Sequence, residues 1–475
     1  MNVRILLPLI SGVSACVPSV THVHNTYTMG EEDSDVEAAD TADSDSAGAG
    51  SYPVMSLPPC DTVVALNDVE IDLWGQDGHT FYLEVTPEQR VSMDEFECRG
   101  GASDDYVIVY DWVNEETCPN FALNVRVVPG GQAEGAVQCA DTGKVELATV
   151  GQSSFRYWYD VPNFKLDVGE FQDIRFPSGD KTVRLNNGQA DANIVREAIG
   201  LGVWNAMGYP APPSRFVRTQ SNVWDNEVYP GAWAAHVMVQ PYKKAFFNAE
   251  LPSAVHVWEG EADAFSPWDD FSFVECEWTD ADECDFDALM QIREFINGAP
   301  EGEGFMAATE SVIDWPAFHQ NQCLSALTGT GDDFIHNSNN TVFVLREDGK
   351  IQFLPYSIDI NADHPWYPGT PYDGWGYLPQ QCAADPECRA AALDTCDGMI
   401  DTFEALDVPT TVVDERCDAL VSAGLSRAND EEVCEQIREY YTSRPESLRA
   451  EIEALRFELM QGDTEESDTD EVIND

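Results

Sequence analysis

Three oxygen-bearing side chains in the second half of the chain could share one metal ion: Asp332, Asn337 and Asp359. The stretch from Gly329 reads Gly-Thr-Gly-Asp-Asp-Phe-Ile-His-Asn-Ser-Asn-Asn, followed by the apolar run Thr341 to Leu345. Glu347-Asp348-Gly349 is a turn, and a second apolar run, Ile351 to Leu354, leads through Pro355-Tyr356-Ser357-Ile358 to Asp359. This pattern predicts a hairpin that carries Asp359 back to the loop holding Asp332 and Asn337. Phosphoryl transfer needs such a set: an Asp to orient the attacking hydroxyl, and an Asn and a second Asp to hold Mg²⁺ against the phosphates. Spacing alone is a weak signal. Asp and Asn abound in loops, and a solvated turn is the plain alternative.

Other chemistries find no motif. There is no Gly-x-Ser-x-Gly elbow, His-Glu-x-x-His, Gly-x-x-x-x-Gly-Lys phosphate loop or EF-hand calcium loop. The eight histidines are scattered, and each alone reads as a surface or satisfied polar residue.

The elements that must position the site fall into zones. Residues 56–140 read as a small β-rich module, with strand-like runs at Phe81–Val85, Tyr106–Tyr110 and Phe121–Val128, the last ended by Pro129-Gly130-Gly131. Residues 141–375 mix strands and helices. Ala192–Met207 places Ile194, Val195, Ala198, Ile199, Leu201 and Trp204 at near-helical spacing and ends at Gly208 and Pro210. From about 380 the chain turns helical, with amphipathic stretches at Glu431–Tyr441 and Pro445–Met460. The fold class expected is α+β, with no internal repeat.

Charge excludes one class of partner. With 86 acidic and 25 basic residues the net charge is −61, which removes the clustered cations that nucleic-acid binding needs. Hydrophobic residues at 43% are enough to build a core, and no apolar run is long enough to span a bilayer.

The N-terminus reads as an export signal over residues 1–15: a basic start at Arg4, a short apolar run, then Val13-Ser14-Ala15-Cys16. The small residues before Cys16 resemble the lipobox of bacterial lipoproteins, which implies lipidation at Cys16, anchoring in the cell envelope and, with Val17 following, the outer membrane or cell surface. An ordinary signal peptide cut nearby is the alternative. Residues 17–55, with eight acidic and no basic residues between Glu31 and Asp45, read as a disordered tether, and the acidic stretch 461–475 as a disordered tail. The other twelve cysteines form groups of four before residue 140, three from 276 to 323 and five after 380. An even count in an exported chain points to disulfides, mainly inside those groups, rather than to zinc.

Several ordered segments together resemble the CotH family, the atypical kinases first described in spore coats. Asp332, Asn337 and Asn339-Asn340, followed by Leu354-Pro355-Tyr356-Ser357-Ile358-Asp359, match its loop and its Pro-Trp-x-x-Asp motif, and protein kinases use the same Asp-to-Asn spacing. Val312–Phe318 resembles the helix opening before that loop. Leu185-Asn186-Asn187, Arg196-Glu197 and Gly208-Tyr209-Pro210-Ala211-Pro212 resemble its Leu-x-Asn-Asn … Arg-Glu … Gly-x-Pro-Ala-Pro segment. Val237–Phe247 and Val150–Ser154 match two further strands, so the resemblance covers residues 141–460. It implies an atypical protein-kinase-like domain with a helical C-terminal part, using ATP and Mg²⁺ or Mn²⁺ on a protein substrate. It implies Asp332 as the catalytic residue, Asn337 and Asp359 as metal ligands, and Glu197 as partner of a nucleotide-binding lysine. Lys165 is the nearest basic residue to the place of that lysine, where Pro162 stands. Gln240 replaces a family Glu, Tyr356 replaces Trp, and no Phe-Gly follows Asp359. With these departures, a catalytically inert surface module that binds a partner is the second reading.

Overall fold

Alternation of buried and half-buried residues sets the first layer. In β2 (His79–Glu84) every second side chain is buried, and Phe81 and Leu83 face a core shared with Leu123, Val125 and Val127 of β3 (Phe121–Val128). The computed structural model describes residues 60–68, 71–86, 121–130, 138–150, 163–188, 194–221, 233–260, 265–267, 274–279, 284–336, 340–362, 372–427 and 429–467, with single residues 281 and 364. Cys16, the tether, the expected strand at Tyr106–Tyr110, Cys98, Cys118 and Asn337 lie outside the described residues.

Seven strands close into a barrel. After β1 (Thr62–Ala65) come β2, β3, β4 (Gln138–Val150), β5 (Asn163–Asp167), β6 (Thr182–Asn186), β7 (Ser214–Ser221) and β8 (Trp233–Val239). Their order is β1-β4-β3-β2-β7-β8-β6-β5, and β5 pairs back to β4, leaving β1 as a parallel addition on β4. The β2–β7 pair is also parallel, and the remaining barrel pairs are antiparallel. The boundary expected at residue 140 falls inside β4. Strands from both sides of it pair with one another, so the described strands before residue 140 are part of the barrel sheet. Pairing over a long sequence separation leaves no local signal, which is why strand patterns alone could not show the closure.

The second layer holds the site. A four-stranded antiparallel sheet runs β10 (Val274–Thr279), β9 (Ala254–Gly260), β11 (Thr341–Arg346), β12 (Ile351–Pro355), and β11–β12 is the expected hairpin. Around it pack α1 (Val195–Ala206), α2 (Lys244–Glu250), α3 (Phe286–Asn297), α4 (Phe305–Thr309), α5 (Trp315–Thr328), α6 (Tyr377–Ala384), α7 (Pro386–Ala405), α8 (Glu415–Ser422) and α9 (Asp430–Ser467). The architecture is thus α+β. Val217 and Met238 of β7 and β8 face the barrel interior. Phe216, Ala235, Val237 and Val239, on the other face, join the helical core with α1.

Two C-terminal expectations differ. The stretches 431–441 and 445–460 are one helix, because Pro445 removes a single N–H while Leu448 and Ile452 beyond it stay fully buried and hold the axis. That helix continues to Ser467, past the expected start of the tail at 461.

Among the described residues, disulfides join Cys60–Cys139, Cys276–Cys284, Cys323–Cys396, Cys382–Cys388 and Cys417–Cys434. Four lie inside the expected groups. Cys323–Cys396 crosses between two of them and ties α5 to α7. No helix among the described residues is long and apolar enough to cross a membrane.

Candidate active site

Helix α5 opens within Val312–Phe318, the segment that resembles a helix entry. Asp314 caps it by accepting from the Ala317 N–H, Pro316 occupies its first turn, and Gly329 ends it at φ +66°. A Cβ on Gly329 would lie 2.3 Å from the Tyr440 hydroxyl, so both the left-handed backbone and the close approach require glycine. The chain then turns into the loop carrying Asp332.

Backbone hydrogen bonds staple that loop to the segment after β12. The Gly331 N–H donates to the Ile360 carbonyl at 3.2 Å, and the Ala362 N–H donates to the Thr328 carbonyl at 2.8 Å. Arg196 of α1 locks the same segment. Its buried guanidinium donates through Nη1 to the Asn361 and Ala362 carbonyls at 2.6 and 2.9 Å. Asn361 Nδ2 donates back to the Arg196 and Ile358 carbonyls at 2.9 and 2.6 Å. Gly200, one turn along α1, lets this happen, because a Cβ there would stand 2.6 Å from Asn361 Nδ2. Asn340, Ser357 and Ala362, which flank Asp332 and Asp359, all have positive φ, a strained conformation that clusters at functional sites.

These contacts bring Glu197, Asp332 and Asp359 into one electrostatic neighbourhood from three separate segments. Burial first, and then the Glu197 and Asp332 charges, push the Asp359 carboxyl up to about 8. Burial also pushes Glu197 up to about 7, against a hydrogen bond from Asn186 and the Arg184 charge. Asn186 Nδ2 reaches both Glu197 oxygens at 2.8 Å. Asp332 is half-buried and accepts from Asn340 Nδ2 at 3.0 Å. Carboxylates crowded so that they resist ionisation are stabilised by a cation, and an all-oxygen donor set suits Mg²⁺. Oxygen donors are the kind Mg²⁺ takes, but the ligand oxygens of Glu197, Asp332 and Asp359 do not all lie within 4.8 Å of one another.

Lys165 is not in this group. It is half-buried on β5, opposite Arg184 of β6, and makes no ion pair among the described residues. The cation whose field reaches Glu197 is Arg184. Strand alternation puts Arg184 on a polar face, but nothing in the sequence says which acid that face meets. Gln240, in place of the family Glu, donates to both Asp180 oxygens at 3.0 Å.

A second set of residues escaped the sequence reading. Ser325, Asp333 and His336 form a buried cluster under the Asp332 loop. Asp333 accepts from the His336 backbone N–H at 2.8 Å and lies 3.1 Å from its Nδ1, Ser325 Oγ is 3.0 Å from that nitrogen, and the serine hydroxyl also bonds the Asp333 carboxylate. Ser325 is fully buried inside α5, so the cluster is built to hold the loop, not to attack a substrate.

Two other clusters lie elsewhere. His319, lowered to about 4 by burial, packs against Cys382 and Cys388, whose sulfurs are joined in a disulfide. Glu146, Asp167 and Glu170 form an acidic group on the barrel.

With this geometry in hand, the comparison with known families is decisive: the family described as CotH kinase protein matches residues 149–448, more than half of the chain. This protein belongs to the CotH family. The matched span runs from the end of β4 into α9 and contains Glu197, Asp332 and Asp359. A search of curated proteins gives no match.

Proposed function

We propose that this CotH-family protein is an exported, lipid-anchored kinase that transfers a phosphoryl group from Mg²⁺-ATP (or Mn²⁺-ATP) to a hydroxyl of a protein substrate at the cell surface. The observation that supports the reading is that the charges of Glu197 and Asp332, 135 positions apart in sequence, both bear on the Asp359 carboxyl, whose segment the Arg196 guanidinium pins to α1. Asp332 accepts the proton of the attacking hydroxyl and holds that oxygen in line, aided by the Asn340 amide that fixes its carboxylate. Asp359, with Asn337, would hold the metal. A bound Mg²⁺ supplies charge neutralisation across the phosphates. Glu197, oriented by Asn186, holds the cationic side chain that faces the nucleotide. Arg196 keeps the Asp359 segment against α1. Cys16 carries the lipid, and the acidic tether sets the domain away from the membrane.

One observation favours the second reading, a catalytically inert surface module: no lysine pairs with Glu197 among the described residues. The two separate in one assay. The purified chain is incubated with labelled ATP, Mg²⁺ or Mn²⁺, and an envelope protein extract. Label entering protein in the wild type and not in Asp332→Asn supports the kinase. No incorporation with either metal favours the inert module.

A further inference from the structure

We propose that Arg184 binds the nucleotide's phosphates, taking the role that the family gives to a lysine; the inference rests on the kinase reading above.

Strand alternation gives the direction. Val183 and Leu185 of β6 point into the barrel core, so Arg184 and Asn186 share the opposite face. Asn186 grips both oxygens of Glu197, which places the α1 acid over the same face as the guanidinium. From the other side, the guanidinium lies over the Tyr356 ring, 4.9 Å from its centroid. Tyr356 stands three residues before Asp359. Arg184 therefore lies between the acid of α1 and the segment that carries the metal ligand.

Its present partners are two glutamates of the second sheet. Arg184 Nη2 is 3.6 Å from Glu259 and 3.8 Å from Glu277, beyond the roughly 2.7–2.9 Å of a charge-assisted hydrogen bond. The two glutamates neutralise the guanidinium, Glu259 by a hydrogen bond as well as by charge, and its side chain keeps 22% of its exposure. A polyphosphate entering between Glu197 and Asp359 offers the planar fork shorter, stronger acceptors. The charge of Arg184 also favours the ionised form of Glu197, as a nucleotide-site cation should. Lys165, directly across the strand pair, shows no comparable link to Glu197.

The test reads binding rather than turnover. ATP, ADP, AMP and adenosine are titrated calorimetrically, with Mg²⁺, into the wild type, Arg184→Ala, Arg184→Lys and Lys165→Ala. Arg184→Ala is expected to weaken ATP and ADP by about tenfold or more while leaving adenosine within about twofold. Arg184→Lys keeps the charge beside Glu259 and Glu277, so it folds even if the alanine variant does not. It should bind ATP better than the alanine variant and less well than wild type, because a point charge replaces a fork. Equal ATP affinity in wild type and both Arg184 variants overturns the proposal. So does a loss that strikes adenosine as hard as ATP, or a loss of ATP binding in Lys165→Ala alone. A wild type that binds ATP removes failure of the kinase reading as an explanation for any of these. A wild type that binds no nucleotide refutes both.

Discussion

Replacing Arg196 with methionine removes the pin between α1 and the Asp359 segment while nearly keeping side-chain volume. Two charge-assisted donations to the Asn361 and Ala362 carbonyls disappear. Each is worth about 1.5–3 kcal/mol, which sets an upper figure of about 6 kcal/mol. The change also relieves the cost of burying a guanidinium that is only 4% exposed, and removing a buried charge can return a few kcal/mol. The net expectation is a loss of about 2–4 kcal/mol. Urea unfolding at pH 7 should show a lower midpoint with an unchanged slope. Arg438→Met is the comparison. That residue pairs with Asp414 and Glu435 on the surface, and its loss should cost less than about 1 kcal/mol. Metal titration adds the functional half, because a loosened 358–362 segment lets Asp359 drift and should weaken Mg²⁺-nucleotide binding several-fold. If Arg196→Met costs under 0.5 kcal/mol and binds Mg²⁺-ATP as wild type does, the pin is not what places Asp359.

The raised carboxyls of Glu197 and Asp359 make the metal-free protein bind protons that the unfolded chain releases. Their contribution to stability is full below the ordinary carboxylate pKa and is lost as pH rises through about 7 to 8. Thermal melts from pH 5 to 9 should therefore fall without metal and recover on adding Mg²⁺, whose binding tightens over the same window with proton release measured by calorimetry in two buffers. Replacing Cys323 and Cys396 together by serine opens a loop of 73 residues and should cost about 4 kcal/mol in urea unfolding; a cost near zero would show that the α5–α7 tie adds nothing. Cys16→Ser should leave the protein unlipidated and shift it from the membrane to the soluble fraction. An unchanged partition would remove the anchor from the account.

The local parts of the site were legible. The hairpin 341–355 and the helix bearing Glu197 follow from alternation and near-helical apolar spacing, and the opening of α5 from the segment Val312–Phe318. Each is decided by residues within a few positions of one another. What the sequence hid is long-range. The closure of β5 onto β4, the crossing Cys323–Cys396 bridge and the Ser325–Asp333–His336 cluster depend on which distant faces meet. Arg184 shows the same limit in one residue. Its nearness to Glu197 and Tyr356 comes from two segments that no spacing rule connects. Lys165 was the natural choice on sequence distance, and the register that sets it against Arg184 became visible only once β5 and β6 were paired.

The central claim is that the carboxylates gathered at Asp359 exist to hold a metal-bound nucleotide. Calorimetric titration of ATP into the wild type, Asp359→Asn and Asp332→Asn, each with and without Mg²⁺, tests it most directly. The account predicts Mg²⁺-dependent binding in the wild type, a loss of about tenfold or more in Asp359→Asn, and near-wild-type binding in Asp332→Asn, whose carboxylate acts on the acceptor hydroxyl. A wild type that shows no Mg²⁺-dependent binding at millimolar ATP, or an Asp359→Asn variant that binds as tightly as wild type, contradicts it.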